Sequence, residues 1–144
     1  MYDNILVPVD GSDSSLKALT HAVKLAKIHC SQINVISVID ELKLPFGAEY
    51  RLWANESHQE LIRTSLEFLN NEIISIRDNE PDLKIDAEIV EGNPTKKIIQ
   101  KSEEGNYDLI VLGKKGMGIV EELVMGSVTH KVLNQSKIPV IVVN

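Results

Sequence analysis

Apolar runs alternate with helically spaced apolar residues along this chain from end to end, and that alternation predicts its architecture. Residues 4–9, NILVPV, form a short apolar run that reads as a strand. Leu16, Leu19, Val23 and Ala26 then step by three and four, the spacing of one helix face. Ser12 or Asp13 supplies the side-chain acceptor for that helix's first turn. The β-branched run INVISVI, 33–39, is a second strand, and Ile62, Leu66, Leu69, Ile73 and Ile76 mark a long second helix that has ended by Pro81. An irregular connection over 40–56, holding Tyr50 and Trp53, separates them. Residues 84–90, KIDAEIV, set Ile85, Ala87 and Ile89 on one face and Lys84, Asp86 and Glu88 on the other, as a half-solvated strand near a sheet edge does. Asn93 as cap, Pro94 at the first helical position and Gly105 just past the end delimit a third helix. YDLIVL, 107–112, is the fourth strand, a last helix begins at Ser127, and IPVIVV, 138–143, is the final strand.

Strands and helices in strict alternation imply parallel strands joined by right-handed crossovers, with helices on both faces of the sheet. The fold class is therefore a doubly wound α/β sandwich, its five-stranded parallel sheet ordered 3-2-1-4-5. Pro8 conflicts locally with that order, because it puts a residue without an N–H in a central strand. A bulge at Pro8 or an early end to pairing resolves the conflict. The order also selects a site: ligands of such sheets sit beyond the carboxyl ends of the strands where the winding reverses, here between strands 1 and 4. Strand 1 ends in Asp10-Gly11-Ser12 and strand 4 runs into a passage with four glycines, Gly113, Gly116, Gly118 and Gly126. Such a passage is either a mobile surface loop or a cradle of backbone N–H groups around a phosphate.

Composition narrows the classes. A length of 144 residues, 43% of them hydrophobic and 25% charged, fits one domain spanning 1–144, large enough to bury its own core. The single cysteine, Cys30, closes an apolar helical stretch and reads as a small core residue in a protein of a reducing compartment. The N-terminus enters a strand pattern at once and no apolar run approaches the length of a membrane span, so the expected location is the cytoplasm. A net charge of −6 argues against a general nucleic-acid or anionic-membrane surface. An anion must then be bound locally.

Familiar phosphate motifs fail. Gly113 and Gly118 have the spacing of a P-loop pair, but Ile119 and Val120 stand where a lysine and a hydroxyl residue are needed. A dinucleotide fingerprint on Gly116 and Gly118 needs a small residue where Glu121 stands, and a phosphate-receiving domain needs an aspartate at the end of strand 3, where the chain reads VEGN. His21, His29, His58 and His130 lack the spacing of a zinc site, and no metal ligand set is evident. Ser127 and His130 have neither an acidic orienter nor a nucleophile elbow, so no catalytic residue is assigned.

What does match is the whole passage: Gly113-x-x-Gly116, nine residues, then Gly126-Ser127-Val128-Thr129. Together with ILVPVDGS at the start and PVIVV at the end, it resembles the ATP-binding branch of the universal stress protein family across the full chain. The resemblance implies an adenine nucleotide alpha hydrolase-like fold and ATP or AMP as ligand, with Mg2+ accompanying the phosphates. It implies that Asp10 and the backbone near Val9 and Val38 face the adenosine, and that Gly113, Gly116, Gly126, Ser127, Val128 and Thr129 line the ribose and phosphates. Pro8, Leu112 and Lys114 are further candidate nucleotide-binding residues beside them.

Charge supports that division: the unpaired N–H groups and dipole of the helix opened by Gly126-Ser127 favour an anion, whereas Asp10 would repel phosphates and fits only the sugar or base end. Ser127 and Thr129 offer hydroxyls to a phosphate, Ser127 serving equally as a helix cap. Lys114 and Lys115 screen phosphate charge in a supporting role. Glu121 and Glu122 read as a polar face. A nucleotide-dependent stress regulator is the expected function, with a weak ATP hydrolase or phosphate-transferring enzyme as the alternative. The final apolar strand at a sheet edge predicts a homodimer through 138–143.

Overall fold

The computed structural model describes residues 1–41, 48–117 and 124–144, with backbone alone for 48–53. Its elements run β1 (Asn4–Pro8), α1 (Asp13–His29), β2 (Gln32–Ile39), α2 (Ala48–Asn79), β3 (Lys84–Glu91), α3 (Pro94–Glu104), β4 (Leu109–Gly113), α4 (Ser127–Gln135) and β5 (Val140–Val143). All pairings are parallel, and the sheet order is β3-β2-β1-β4-β5, as expected.

Period-two alternation in the central strands feeds two cores. Ile5, Val7, Ile33, Val35, Leu109 and Val111 face α1 and α2, meeting Ala18, Leu19, Ala22, Leu69 and Ile73. Leu6, Ile36, Ile110 and Leu112 face α3 and α4, meeting Ile98 and Val132. Ile5, Leu6, Val7, Leu109, Ile110 and Val111 are wholly inaccessible, and each contributes about 1.5–3 kcal/mol of burial. The sheet is thus anchored at the two strands whose ends flank the reversal of winding.

Pro8 is accommodated by an early end to pairing. It keeps its place opposite Ile36 in β2, where Val9 N–H donates to the Ile36 carbonyl at 2.9 Å. Residues of opposite parity face β4, and β1 pairs with β4 only through Ile5–Leu109 and Leu6–Ile110. Pro8's missing donor therefore falls where β1 and β4 have already parted. The residue that conflicted with a central strand marks the opening of the crevice.

Other expectations need correction. The connection after β2 is shorter than 40–56, because α2 begins at Ala48; the side chains of Tyr50 and Trp53 lie outside the described residues. On α2 the inward row passes through Phe68, while Leu66 is 44% exposed. Ala87 of β3 is exposed. Cys30 is exposed too, since it is the left-handed C-cap of α1 (φ 57°) and turns away from the helix's apolar face.

Candidate functional site

The turn after β1 is built by its own side chains. Gly11 adopts φ +84°, a region a residue with a Cβ enters only under strain. Asp10 Oδ1 accepts the Ser12 N–H at 2.9 Å, closing an Asx turn. Ser12 in turn caps α1 by accepting Ser15 N–H at 3.1 Å. Asp10 Oδ2 reaches across the crevice and accepts the Met117 N–H at 3.1 Å, so one carboxylate joins the two turns.

Gly113, Gly116 and Gly126 serve close approach, not positive φ: among the described residues the positive-φ glycines are Gly11 and Gly92. A Cβ on Gly113 would lie 2.6 Å from the Ser14 carbonyl carbon, so α1 packs directly on the backbone at the end of β4. A Cβ on Gly116 would lie 3.0 Å from Asp10 Oδ2, and one on Gly126 would lie 3.3 Å from the Gly116 nitrogen. Both ends of the passage therefore converge. Gly126 N–H donates to the Lys114 carbonyl at 2.8 Å, and Lys114 N–H donates to the Val143 carbonyl at 2.9 Å. Gly118, Glu121 and Glu122 lie outside the described residues.

Most backbone donors here are taken: Lys114 by Val143, Lys115 by Ser14 Oγ at 3.2 Å, Met117 by Asp10, Gly126 by Lys114 and His130 by Gly126. The N–H groups of Gly116, Ser127, Val128 and Thr129 have no acceptor among the described residues. Those last three open α4, where the helix dipole adds about 0.3–1 kcal/mol in favour of an anion. Gly126, not Ser127, is the N-cap, and it makes no side-chain capping bond, which corrects the capping role expected of Ser127. Ser127 is exposed at the crevice. Thr129 is different: its buried hydroxyl donates to the Gly113 carbonyl at 2.7 Å, tying α4 to β4. Its free donor is the backbone N–H rather than the hydroxyl. His130 Nε2 lies 3.1 Å from Asn134 Nδ2 on the outer side of α4.

These groups surround a cavity of about 320 Å3, within the usual size of small-ligand sites. Pro8, Val9, Asp10, Val38, Leu112, Gly113, Gly116, Gly126, Ser127, Val128 and Thr129 all line it; Lys114 does not, and Lys115 does. Sequence reasoning missed Ile36, Pro94, Ile98, Ser15 and Met117. Ile36 was recoverable, being two positions before Val38 on the same strand face. Pro94 and Ile98, four apart on α3, required knowing that α3 flanks the crevice. The lining joins an apolar slot of Ile36, Val38, Pro94, Ile98, Leu112 and Val128 to N–H groups without an acceptor among the described residues, with the Asp10 carboxylate beside Gly116 and Met117. Such a slot suits a flat apolar ring joined through polar groups to an anion. Among the described residues no cluster of His, Cys, Asp and Glu could hold a metal ion, and no helix is long and apolar enough to cross a membrane.

The chain is similar to known proteins over nearly its whole length. Universal stress protein MJ0531 of Methanocaldococcus jannaschii is 32% identical over 149 residues, covering 99% of this chain and 82% of the relative. The structure of universal stress protein UspA from Lactobacillus plantarum superposes with a TM-score of 0.89 at 26% identity, covering 99% of this chain and 98% of that one. Two further solved structures share the fold at lower identity: a universal stress protein in complex with cAMP (23%, TM-score 0.62, 99% and 97% covered) and an Arabidopsis thaliana universal stress protein family protein with AMP bound (18%, TM-score 0.63, 98% and 90% covered). The sequence profile described as "Universal stress protein family" matches residues 1–144. With that match over its whole length, the chain belongs to the universal stress protein family.

Proposed function

We propose that this protein binds ATP or AMP in the crevice between β1 and β4 and acts as a nucleotide-dependent regulator of a stress response in the cytoplasm. One observation carries the reading: the N–H groups of Gly116, Ser127, Val128 and Thr129, which have no acceptor among the described residues, border the same apolar slot. Phosphates belong beside those donors and the adenine ring between Val38, Ile98 and Pro94. Asp10 is left to accept from the ribose hydroxyls, and Lys115 to screen the phosphates. The cAMP and AMP complexes of two proteins of the same fold support this choice of ligand. Magnesium would be held by the phosphates and water with the Ser127 hydroxyl beside them, since Asp10 already accepts two N–H groups. That engagement also makes Asp10 a poor general base, which favours regulation over efficient turnover. A homodimer through the edge of β5 completes the reading.

Mass spectrometry of the nucleotide released on denaturing freshly purified protein tests it, with near-stoichiometric ATP or AMP as the expected result. Bound ATP with magnesium should persist far beyond seconds. Its loss at the roughly 1–10³ per second typical of enzymes would replace the regulator with a hydrolase, and protein that neither carries nor binds adenine nucleotide would overturn both.

A further inference from the structure

The unpaired donors are aimed by groups outside the crevice. Gly116 N–H shares a planar peptide with the Lys115 carbonyl, so whatever fixes that plane fixes the donor's direction. The plane is held through Lys115 O, which accepts from Ser12 Oγ at 3.4 Å. The preceding peptide plane joins Lys114 O, which accepts Gly126 N–H at 2.8 Å, to Lys115 N–H, which donates to Ser14 Oγ at 3.2 Å. Two consecutive planes are thus pinned to the first turn of α1 on one side and to the N-cap of α4 on the other. Ser12 also caps α1, whereas among the described residues the Ser14 hydroxyl bonds only to the Lys115 N–H. Ser14 is half-buried, its main chain rests against Gly113, and it does not line the cavity.

We infer that Ser14 is a positioning residue for phosphate recognition: its Oγ, through the Lys115 N–H, fixes the peptide plane that precedes the one Ser12 holds, so that with Ser12 it aims the Gly116 donor and sets its distance from the α4 N-terminus, and thereby favours phosphorylated over unphosphorylated adenosine. The inference rests on the nucleotide reading. It assigns a role to a side chain that touches no ligand, and it predicts an effect confined to one end of that ligand. Ser14→Ala keeps the backbone that packs on Gly113 and removes the hydroxyl, whose Oγ is the acceptor and also lies beside Gly113. Ser14→Thr keeps the acceptor.

The test is calorimetric titration of wild type and both variants with ATP and with adenosine, beside amide hydrogen exchange of the ligand-free proteins. Ser14→Ala should bind ATP about three- to tenfold more weakly, the equivalent of one neutral hydrogen bond, while its adenosine affinity is unchanged. Lys115 N–H should exchange faster in Ser14→Ala with the β4 amides unaffected, and Ser14→Thr should restore both readouts. Unchanged ATP affinity, or equal losses for ATP and adenosine, would overturn the positioning role. If wild type bound neither ligand, the nucleotide reading would fail by itself. Exchange would then decide the pinning, with unchanged Lys115 protection in Ser14→Ala refuting it.

Discussion

Gly113→Ala separates the glycine that packs the fold from Gly126, which borders the proposed ligand site. The added methyl would lie 2.6 Å from the Ser14 carbonyl carbon and 2.7 Å from its oxygen, against the 3.4–4 Å of ordinary contact. Both are backbone atoms, so no rotamer relieves the clash, and the first turn of α1 must retreat from β4 by the better part of an ångström. Overpacking of this kind destabilises by about 1–3 kcal/mol, offset by about 0.4–1 kcal/mol because alanine restricts the unfolded chain. The net loss of about 1–2 kcal/mol should lower the thermal midpoint by about 2–8 °C for a chain of this size. Gly126→Ala is the counterpart. Its φ of −61° admits alanine, and the nearest atoms to its Cβ are the Gly116 nitrogen at 3.3 Å and the Lys114 oxygen and Lys115 Cα at 3.4 Å, so the backbone must give by a few tenths of an ångström, less than Gly113→Ala demands, while a methyl enters the space beside the Gly116 N–H. Urea unfolding and ATP titration of both variants give the comparison: Gly113→Ala loses chiefly stability, Gly126→Ala chiefly affinity. A Gly113→Ala protein as stable as wild type would refute the close packing of α1 on β4 and the reason given for that glycine.

Three further predictions follow from other parts of the structure. Asp10→Ala removes the acceptor shared by Ser12 and Met117 N–H, so it should weaken ATP binding and lower stability by about 1 kcal/mol, both read from calorimetry; wild-type behaviour in both would remove Asp10 from the site. In β5 the carbonyls of Pro139 and Val143 bond β4, which leaves the N–H of Val142 pointing off the sheet edge. Val142→Pro should therefore convert a wild-type dimer to monomer in sedimentation, and a monomeric wild type would refute the dimer. Lys101 is held above the usual lysine range chiefly by its hydrogen bond to Glu88, and Tyr107 is pushed up chiefly by burial. Both raised groups stabilise the fold fully below about pH 10 and lose that contribution as pH rises through their folded values. Glu88→Gln should lower the urea midpoint at pH 8 by the equivalent of at most about 1 kcal/mol, with the difference shrinking by pH 11.

The fold was legible because the apolar period switches cleanly between strands and helices, and because caps such as Asn93-Pro94 end ambiguity at helix starts. The crevice was legible through topology, since the strand order alone brings Asp10 and Gly113 together. What pattern could not convey was which groups are already occupied. Thr129 and Ser127 read alike as hydroxyls near a helix start, yet one is tied to the Gly113 carbonyl and the other stands at the crevice mouth. Likewise Lys114 and Lys115 are indistinguishable by composition, and only the pairing of Lys114's backbone with Val143 and Gly126 shows which of the two turns to the cavity. Cys30 was misread because a left-handed cap reverses the direction of the last side chain, which helical periodicity does not anticipate.

Backbone amide chemical shifts followed by nuclear magnetic resonance during an ATP titration test the central claim most directly, because they report the very donors proposed to hold the phosphates. The amides of Gly116, Ser127, Val128 and Thr129 should shift in a saturable way with ATP, and Ser127 and Val128 should move far less with adenosine. Saturating ATP that leaves these four amides unmoved would contradict the account, whatever else in the protein responded.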